Sequence, residues 1–287
     1  MGLLFVLPVV LGTLILNIAP TFATFGISFT HYDLLTAPEW AGLDNYRELL
    51  QDQFAHAALR NTAVYTIGSV ILGIPAGLGL ALLVNTRLPG IRLIRIVYII
   101  PVVSSTIAVA LVWQWILNGK LGLLNQFLKM FGIQGQSWLT NPNIAMFSVV
   151  FISVWQGVGY TMLLFLAGLQ SIPESLYEAA KIDGGGRFSR FRYITLPMLS
   201  PTTFFVLIIT IISSFQVFDF IYIFTFTGGA AGRLRSLDVW VFYLYQNAFS
   251  FHKMGYAAAM AFGLFVVIAG VTFIQWRASK HWVFYGE

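Results

Sequence analysis

Long apolar runs nearly free of charge alternate along the chain with shorter segments that hold most of its Asp, Glu, Lys and Arg. The runs fall at about 3–29, 62–85, 95–117, 143–170, 199–226 and 255–276. Each is long enough for a helix to cross a hydrocarbon layer about 30 Å thick, which needs roughly 18–20 residues. The pattern predicts an all-α integral membrane protein with six transmembrane helices. With no internal repeat and no low-complexity linker, it predicts a single membrane domain over 1–287. A further apolar stretch, VWVFYLYQNAFSF at 239–251, is too short to span and carries Tyr, Gln and Asn. Its length and aromatic content predict a re-entrant or interfacial segment. Pro8, Pro20, Pro75 and Pro101 fall inside expected helices, where neighbouring helices or waters satisfy the carbonyls a proline frees.

Composition sharpens this picture. Of 287 residues, 58% are hydrophobic and only 9% charged, against about 25% charged in ordinary soluble domains. There is no cysteine, which removes disulfide frameworks and thiolate metal sites. The start, MGLLFVLPVVLGTLILNIAP, has no basic region and no small-residue cleavage site, so it reads as the first span and not as a removable signal. The net charge of +5 is small and belongs to loop placement, not to nucleic-acid binding. Loops at about 86–95, 171–198 and 277–287 hold nine basic residues in about 49 positions, while the other three hold seven in more than 80. Basic loops stay cytoplasmic. Both termini are therefore expected on the cytoplasmic side of a multi-pass protein.

One polar segment stands out. EAAKIDGGGRFSRFRYITLP, at 178–197, gathers four basic and two acidic residues around three glycines, between two long apolar runs. Ser171 and Glu174 have the spacing of a capping box, which predicts a short helix through Leu176 and Glu178 to about Asp183. Gly184, Gly185 and Gly186 should end it, since glycine readily takes the left-handed conformation. A second short helix is expected through Phe188, Phe191 and Ile194, with Pro197 and Pro201 marking entry into the fifth span. A basic loop that only fixes topology is the plain alternative. Two small alanines, a charged contact and a sharp turn instead suit docking onto another surface.

The order Glu178-Ala179-Ala180, then Gly184 after the three residues Lys181-Ile182-Asp183, and Ile194-x-Leu196-Pro197 resembles the EAA loop of ABC importer permeases. GLDNYREL at 42–49, GLLNQFL at 122–128, WLTNPN at 138–143, FLAGLQSIPESLYEAAKIDG at 165–184, FQVFDFIYIFT at 215–225 and GYAAAM at 255–260 extend the resemblance over nearly the whole chain. They resemble the carbohydrate-uptake branch, relatives of maltose and glycerol-3-phosphate permeases. Ala230 stands where that family usually has the proline of a Thr-x-Gly-Gly-Pro turn, and its usual basic N-terminal tail is missing. The resemblance implies a MetI-like transmembrane domain with a cytoplasmic coupling helix, located in the cell (inner) membrane. It implies a second permease subunit, two ATP-binding subunits that carry ATP and Mg, and an external solute-binding protein that delivers a small, carbohydrate-like solute. In such systems Glu178 would contact the ATPase, Ala179 and Ala180 would pack in its cleft, and Asp183 and Gly184 would form the turn.

No cofactor and no catalysis are expected of this chain itself. It lacks a Gly-x-x-x-x-Gly-Lys-Ser/Thr loop; Lys120 follows Gly119 but precedes Leu121. His31, His56, His252 and His281 are scattered without metal-ligand spacing, and Gly77 and Gly79 read as packing glycines in a span. Asp219 is the one carboxylate inside an expected span, and intramembrane carboxylates default to functional hypotheses. Helical spacing puts Gln216 on its face. Gln156 and Tyr160 form a second polar face, with Trp155 adjacent. These five residues either line a sugar path or join helices to one another. A membrane enzyme would need a catalytic cluster at one interface, and a proton-coupled carrier would need several ionisable groups in its spans. The sequence offers neither.

Overall fold

The computed structural model describes residues 2–86, 88–226 and 235–284, with side chains from residue 6 onward. It is almost entirely helical. In chain order the helices are α1 (Gly2–Thr13), α2 (Ala19–Ile27), α3 (Asp44–Gln51), α4 (Gln53–Val84), α5 (Ile91–Val103), α6 (Thr106–Ile116), α7 (Leu123–Met130) and α8 (Ala145–Gln170). They continue with α9 (Glu174–Ile182), α10 (Arg187–Arg190), α11 (Leu196–Met198), α12 (Ser200–Phe215), α13 (Asp219–Phe226), α14 (Trp240–Tyr245) and α15 (Met254–Ser279). The strands β1 (Thr30–His31) and β2 (Glu39–Trp40) pair antiparallel, Thr30 opposite Trp40. Five helical stretches among the described residues are long and apolar enough to cross a membrane, or six if the α5–α6 pair is one span.

Two of the expected spans are broken. The stretch at 95–117 is α5 and α6, bent by 96°. Pro101 withholds an N–H two residues before the end of α5, and Ser104 and Ser105 are extended, at ψ 147° and 124°. The stretch at 199–226 breaks between α12 and α13. There the N–H groups of Gln216 and Val217 turn back to the carbonyls of Ser213 and Ser214. Gln216 and Asp219 therefore do not share one continuous helix face: Gln216 closes α12 and Asp219 opens α13.

The chain forms two compact units. The first comprises residues 1–59 and 239–270. Buried Asn45 ties its β-hairpin to α3, donating to the carbonyls of Ser28 and Thr30 at 2.9 Å each. The indole of Trp240 donates to the Met260 carbonyl at 3.0 Å. The 239–251 stretch is a short helix followed by a π-helical turn, and Trp240, Phe242, Gln246, Asn247 and Ala248 are buried. Trp240, Phe242 and Tyr243 face the unit's interior, while Phe249 and Phe251 at the end of the stretch are exposed.

Asp52 is the polar centre of this unit. Its Oδ1 caps α4 by accepting the Phe54 N–H at 2.8 Å, and its Oδ2 accepts the hydroxyls of Tyr243 at 2.7 Å and Tyr256 at 2.6 Å. Burial pushes the carboxyl up. The hydrogen bonds from Tyr256, Tyr243 and the Phe54 and Ala55 N–H groups outweigh it and hold Asp52 below its ordinary value.

The second unit comprises residues 60–238 and 271–287. Its core joins Ala81 and Val84 of α4, Met162, Phe165, Leu166 and Leu169 of α8, and Val206 of α12, with Ile172 and Leu199 at the loop ends. Small residues let the helices close. A Cβ on Gly159 would strike the Tyr98 carbonyl oxygen, one on Gly168 the Thr202 hydroxyl, and one on Gly77 the Thr161 side chain. Gly79 meets nothing within 4 Å and is not a packing glycine among the described residues.

Candidate functional site

Two places in the second unit carry chemistry: the polar loop after α8, and a cavity where α12 breaks. In the loop, α9 begins after Pro173, which supplies no side-chain cap. The capping box expected from Ser171 does not form. Ser171 instead closes α8, donating its hydroxyl to the Gly168 carbonyl at 2.8 Å. The far end of α9 follows the glycine reading closely. Gly184 sits at φ +78°, its N–H bonds to the Lys181 carbonyl at 3.1 Å, and the Gly185 N–H reaches back to the Ala180 carbonyl at 2.7 Å. This pair of bonds is a Schellman motif, and it reverses the chain within two residues. A Cβ on Gly185 would lie 2.6 Å from the Ala180 oxygen.

The loop is held from one side and open on the other. The Tyr177 hydroxyl pairs with the Thr195 Oγ1 at 3.0 Å, and Tyr177, Ile194 and Met198 pack against the α4–α8–α12 core. Glu178, Ala179, Asp183 and Gly184 are exposed, and Ala180 is half-buried. So are three large apolar side chains, Ile182 at 87%, Phe188 at 79% and Tyr193 at 76%. A loop of short helices that shows this much apolar surface while Tyr177 and Ile194 tie it into the core has the form of a docking element.

The cavity at the α12–α13 break has a volume of about 420 Å³, within the range of small-molecule sites. It brings Gln156, Gln216 and Asp219 together, and adds Tyr65, Thr106, Ser153 and Ser213. Among the described residues, no hydrogen bond or ion pair reaches the Asp219 carboxylate. The Gln156 amide donates to the Ser104 carbonyl at 3.4 Å, across the other helix break. An adjoining cavity of about 340 Å³ shares Tyr65, Ser153, Gly157 and Ser213 as walls and is lined further along by Tyr160, Thr161 and Thr210. The hydroxyls of Ser69 and Ser153 lie beside the Tyr65 phenol but outside hydrogen-bond geometry, and both are buried. Trp155 lines neither cavity; its ring meets Trp113 edge-on at 5.4 Å. Sequence spacing missed Tyr65, Thr106, Ser153 and Ser213. Their only signal is a hydroxyl within an apolar run. Ala230 lies outside the described residues.

Residues 53–279 match the family described as binding-protein-dependent transport system inner membrane component. The chain belongs to this family. It is 38% identical over 287 residues to the probable ABC transporter permease protein YesP of Bacillus subtilis, covering 99% of this chain and 92% of that protein. It is 35% identical over 282 residues to the trehalose/maltose transport system permease protein MalF of Thermococcus litoralis, covering 98% and 94%. Among solved structures, it matches a chain of a bacterial ABC transporter involved in the import of the acidic polysaccharide alginate. The TM-score is 0.84 at 24% identity, over 96% of this chain and 94% of the other, and the likeness is one of fold. As a member of this family the protein is a membrane permease of a binding-protein-dependent importer.

Proposed function

We propose that this permease forms half of the pathway for a sugar or sugar-like solute and couples it to ATP hydrolysis by partner subunits. The observation that carries the reading is the loop at 171–198. Its exposed edge of Glu178, Ala179 and Ile182 is continuous through Tyr177 with the core of the spanning helices. A cleft on an ATP-binding subunit that takes up α9 would move α8 and α12 as it closes. The rest of the machine follows the resemblance: a second permease subunit, two ATP-binding subunits holding ATP and Mg, an external solute-binding protein, and both termini in the cytoplasm.

Sugar as the solute class rests on the cavity walls and on the trehalose/maltose relative. Beside the Asp219 carboxylate the walls offer the amides of Gln156 and Gln216 and the hydroxyls of Tyr65, Thr106 and Ser213, groups that suit a ligand which both donates and accepts hydrogen bonds. Among the described residues Asp219 makes no bond to another helix, which favours a solute-facing role over joining helices.

Coupling is tested by ATPase activity of the reconstituted complex, with and without loaded binding protein. Glu178→Lys should leave the subunit in the membrane but abolish the stimulation. Normal stimulation in that variant and in Gly184→Val would return the loop to a topological role. Mass spectrometry of the ligand on the co-purified binding protein identifies the solute. A solute without a polyol framework would overturn the sugar reading.

A further inference from the structure

A third cavity lies in the same unit, at the end of α6 remote from the helix break, with a volume of about 360 Å³. Trp115 forms one wall and Phe224 another, and the polar lining comes from Gln114, Asn118, Ser137 and Thr140. Among the described residues, no charged side chain lines it. Trp115 is 59% exposed. The Asn118 Oδ1 accepts the Lys120 and Leu121 N–H groups at 3.0 Å each, which fixes this lining side chain.

This cavity is linked to the central one by two elements that line both. On α6, Thr106 faces the central cavity and Gln114 the outer one, eight residues or about 12 Å further along. On α13, the ring of Phe220 in the central cavity stacks on the ring of Phe224 in the outer one, with centroids 5.9 Å apart. A solute that leaves one cavity along α6 and α13 arrives at the other.

We propose that the outer cavity is an entry subsite for a neutral pyranose unit, with Trp115 as its platform. The inference rests on the sugar-pathway reading above. A pyranose presents one face of C–H groups and a rim of hydroxyls. An indole matches the face, and amides and hydroxyls match the rim. A tryptophan near a helix end also serves as a membrane-interface anchor, but an anchor needs only its own indole. It gives no reason for four hydrogen-bonding side chains to converge on a cavity beside it, and it is indifferent to Thr140.

The test uses the assembled importer. Intrinsic fluorescence is titrated with maltotriose and xylotriose as neutral probes and with trigalacturonate as an anionic one. The wild-type complex should give a saturable change with at least one neutral trisaccharide and none with the uronate. Trp115→Phe should remove the change. Thr140→Val, which keeps the fold and the indole, should raise the half-saturation concentration roughly three- to tenfold, the loss of one hydrogen bond. Absence of a Trp115-dependent change with both neutral probes would overturn the proposal, and so would a Thr140→Val complex that titrates as wild type. Uptake of the solute recovered from the binding protein is measured in parallel for Gln216→Ala in the central cavity. Altered uptake there without a Trp115 signal leaves the pathway standing and removes the outer subsite. A Trp115 signal with unaltered Gln216→Ala uptake removes the pathway reading, and with it the entry role.

Discussion

At Gly184 the demand is conformational, not steric. Nothing lies within 4 Å of where a Cβ would be, yet φ is +78°. Gly184→Ala should therefore be tolerated better than Gly184→Val, because a β-branched side chain resists the left-handed region most. Residual coupling in the ATPase assay should rank in that order, and equal activities would show that the turn does not matter. Asp52 poses a different demand, two phenolic donors on one carboxylate oxygen. Asp52→Asn keeps the helix cap but loses the charge that strengthens both bonds, and should cost about 1–3 kcal/mol. The sign with pH follows from the direction of the shift. Because the folded value lies below the ordinary one, the contribution is complete above the ordinary carboxylate pKa of about 3.9 and fades as pH falls through the folded value. Thermal melts of the purified protein should show the wild-type advantage over Asp52→Asn at pH 7 and its loss in strong acid. An advantage that persists unchanged in acid would contradict the assignment.

At the scale of elements, what was legible in the sequence is what local chemistry decides. Charge-free length places the helices, and three consecutive glycines place the end of α9. The structure supplies the rest through tertiary choice. The break at 216–218 has no proline or glycine to announce it. The bend after Pro101 was half legible, since prolines in spanning helices are as often tolerated as broken. Ser171 went wrong because one residue can cap the helix before it or the helix after it, and the spacing to Glu174 does not choose. Candidate site residues were found where a charge or amide stood out from an apolar run, as with Asp219, Gln156 and Gln216. Tyr65 and Ser153 were lost among ordinary hydroxyls. The tie between Tyr177 and Thr195 was equally silent, and it makes a prediction about α9. Tyr177→Phe keeps the ring in the core and removes one hydrogen bond, worth about 1 kcal/mol. Basal ATPase activity should be retained while stimulation by loaded binding protein weakens. Full stimulation would mean that the apolar contacts alone carry the motion.

For the whole molecule, the open variable is the number of crossings, and it turns on the α5–α6 pair. Thirteen and eleven helical residues make legs of about 20 Å and 16 Å. Bent by 96°, they span only about 24 Å end to end, so flanking residues must complete a crossing of about 30 Å. Geometry alone thus leaves a re-entrant pair as the rival. Charge decides between them. If the pair crosses, nine basic residues fall in the short loops on one side and seven in the longer loops on the other. If it re-enters, the loops divide eight and eight and the bias that orients such proteins vanishes. The crossing arrangement also puts 86–95 on the side of the 171–198 loop, the side on which the proposed ATP-binding partner would dock. The native chain has no cysteine, so single replacements report without background. Thr86→Cys and Ser189→Cys should label from the cytoplasmic side with a membrane-impermeant maleimide, and Gln134→Cys from outside. Labelling of Thr86→Cys and Gln134→Cys from one side would make the pair re-entrant and put the two termini on opposite faces of the membrane.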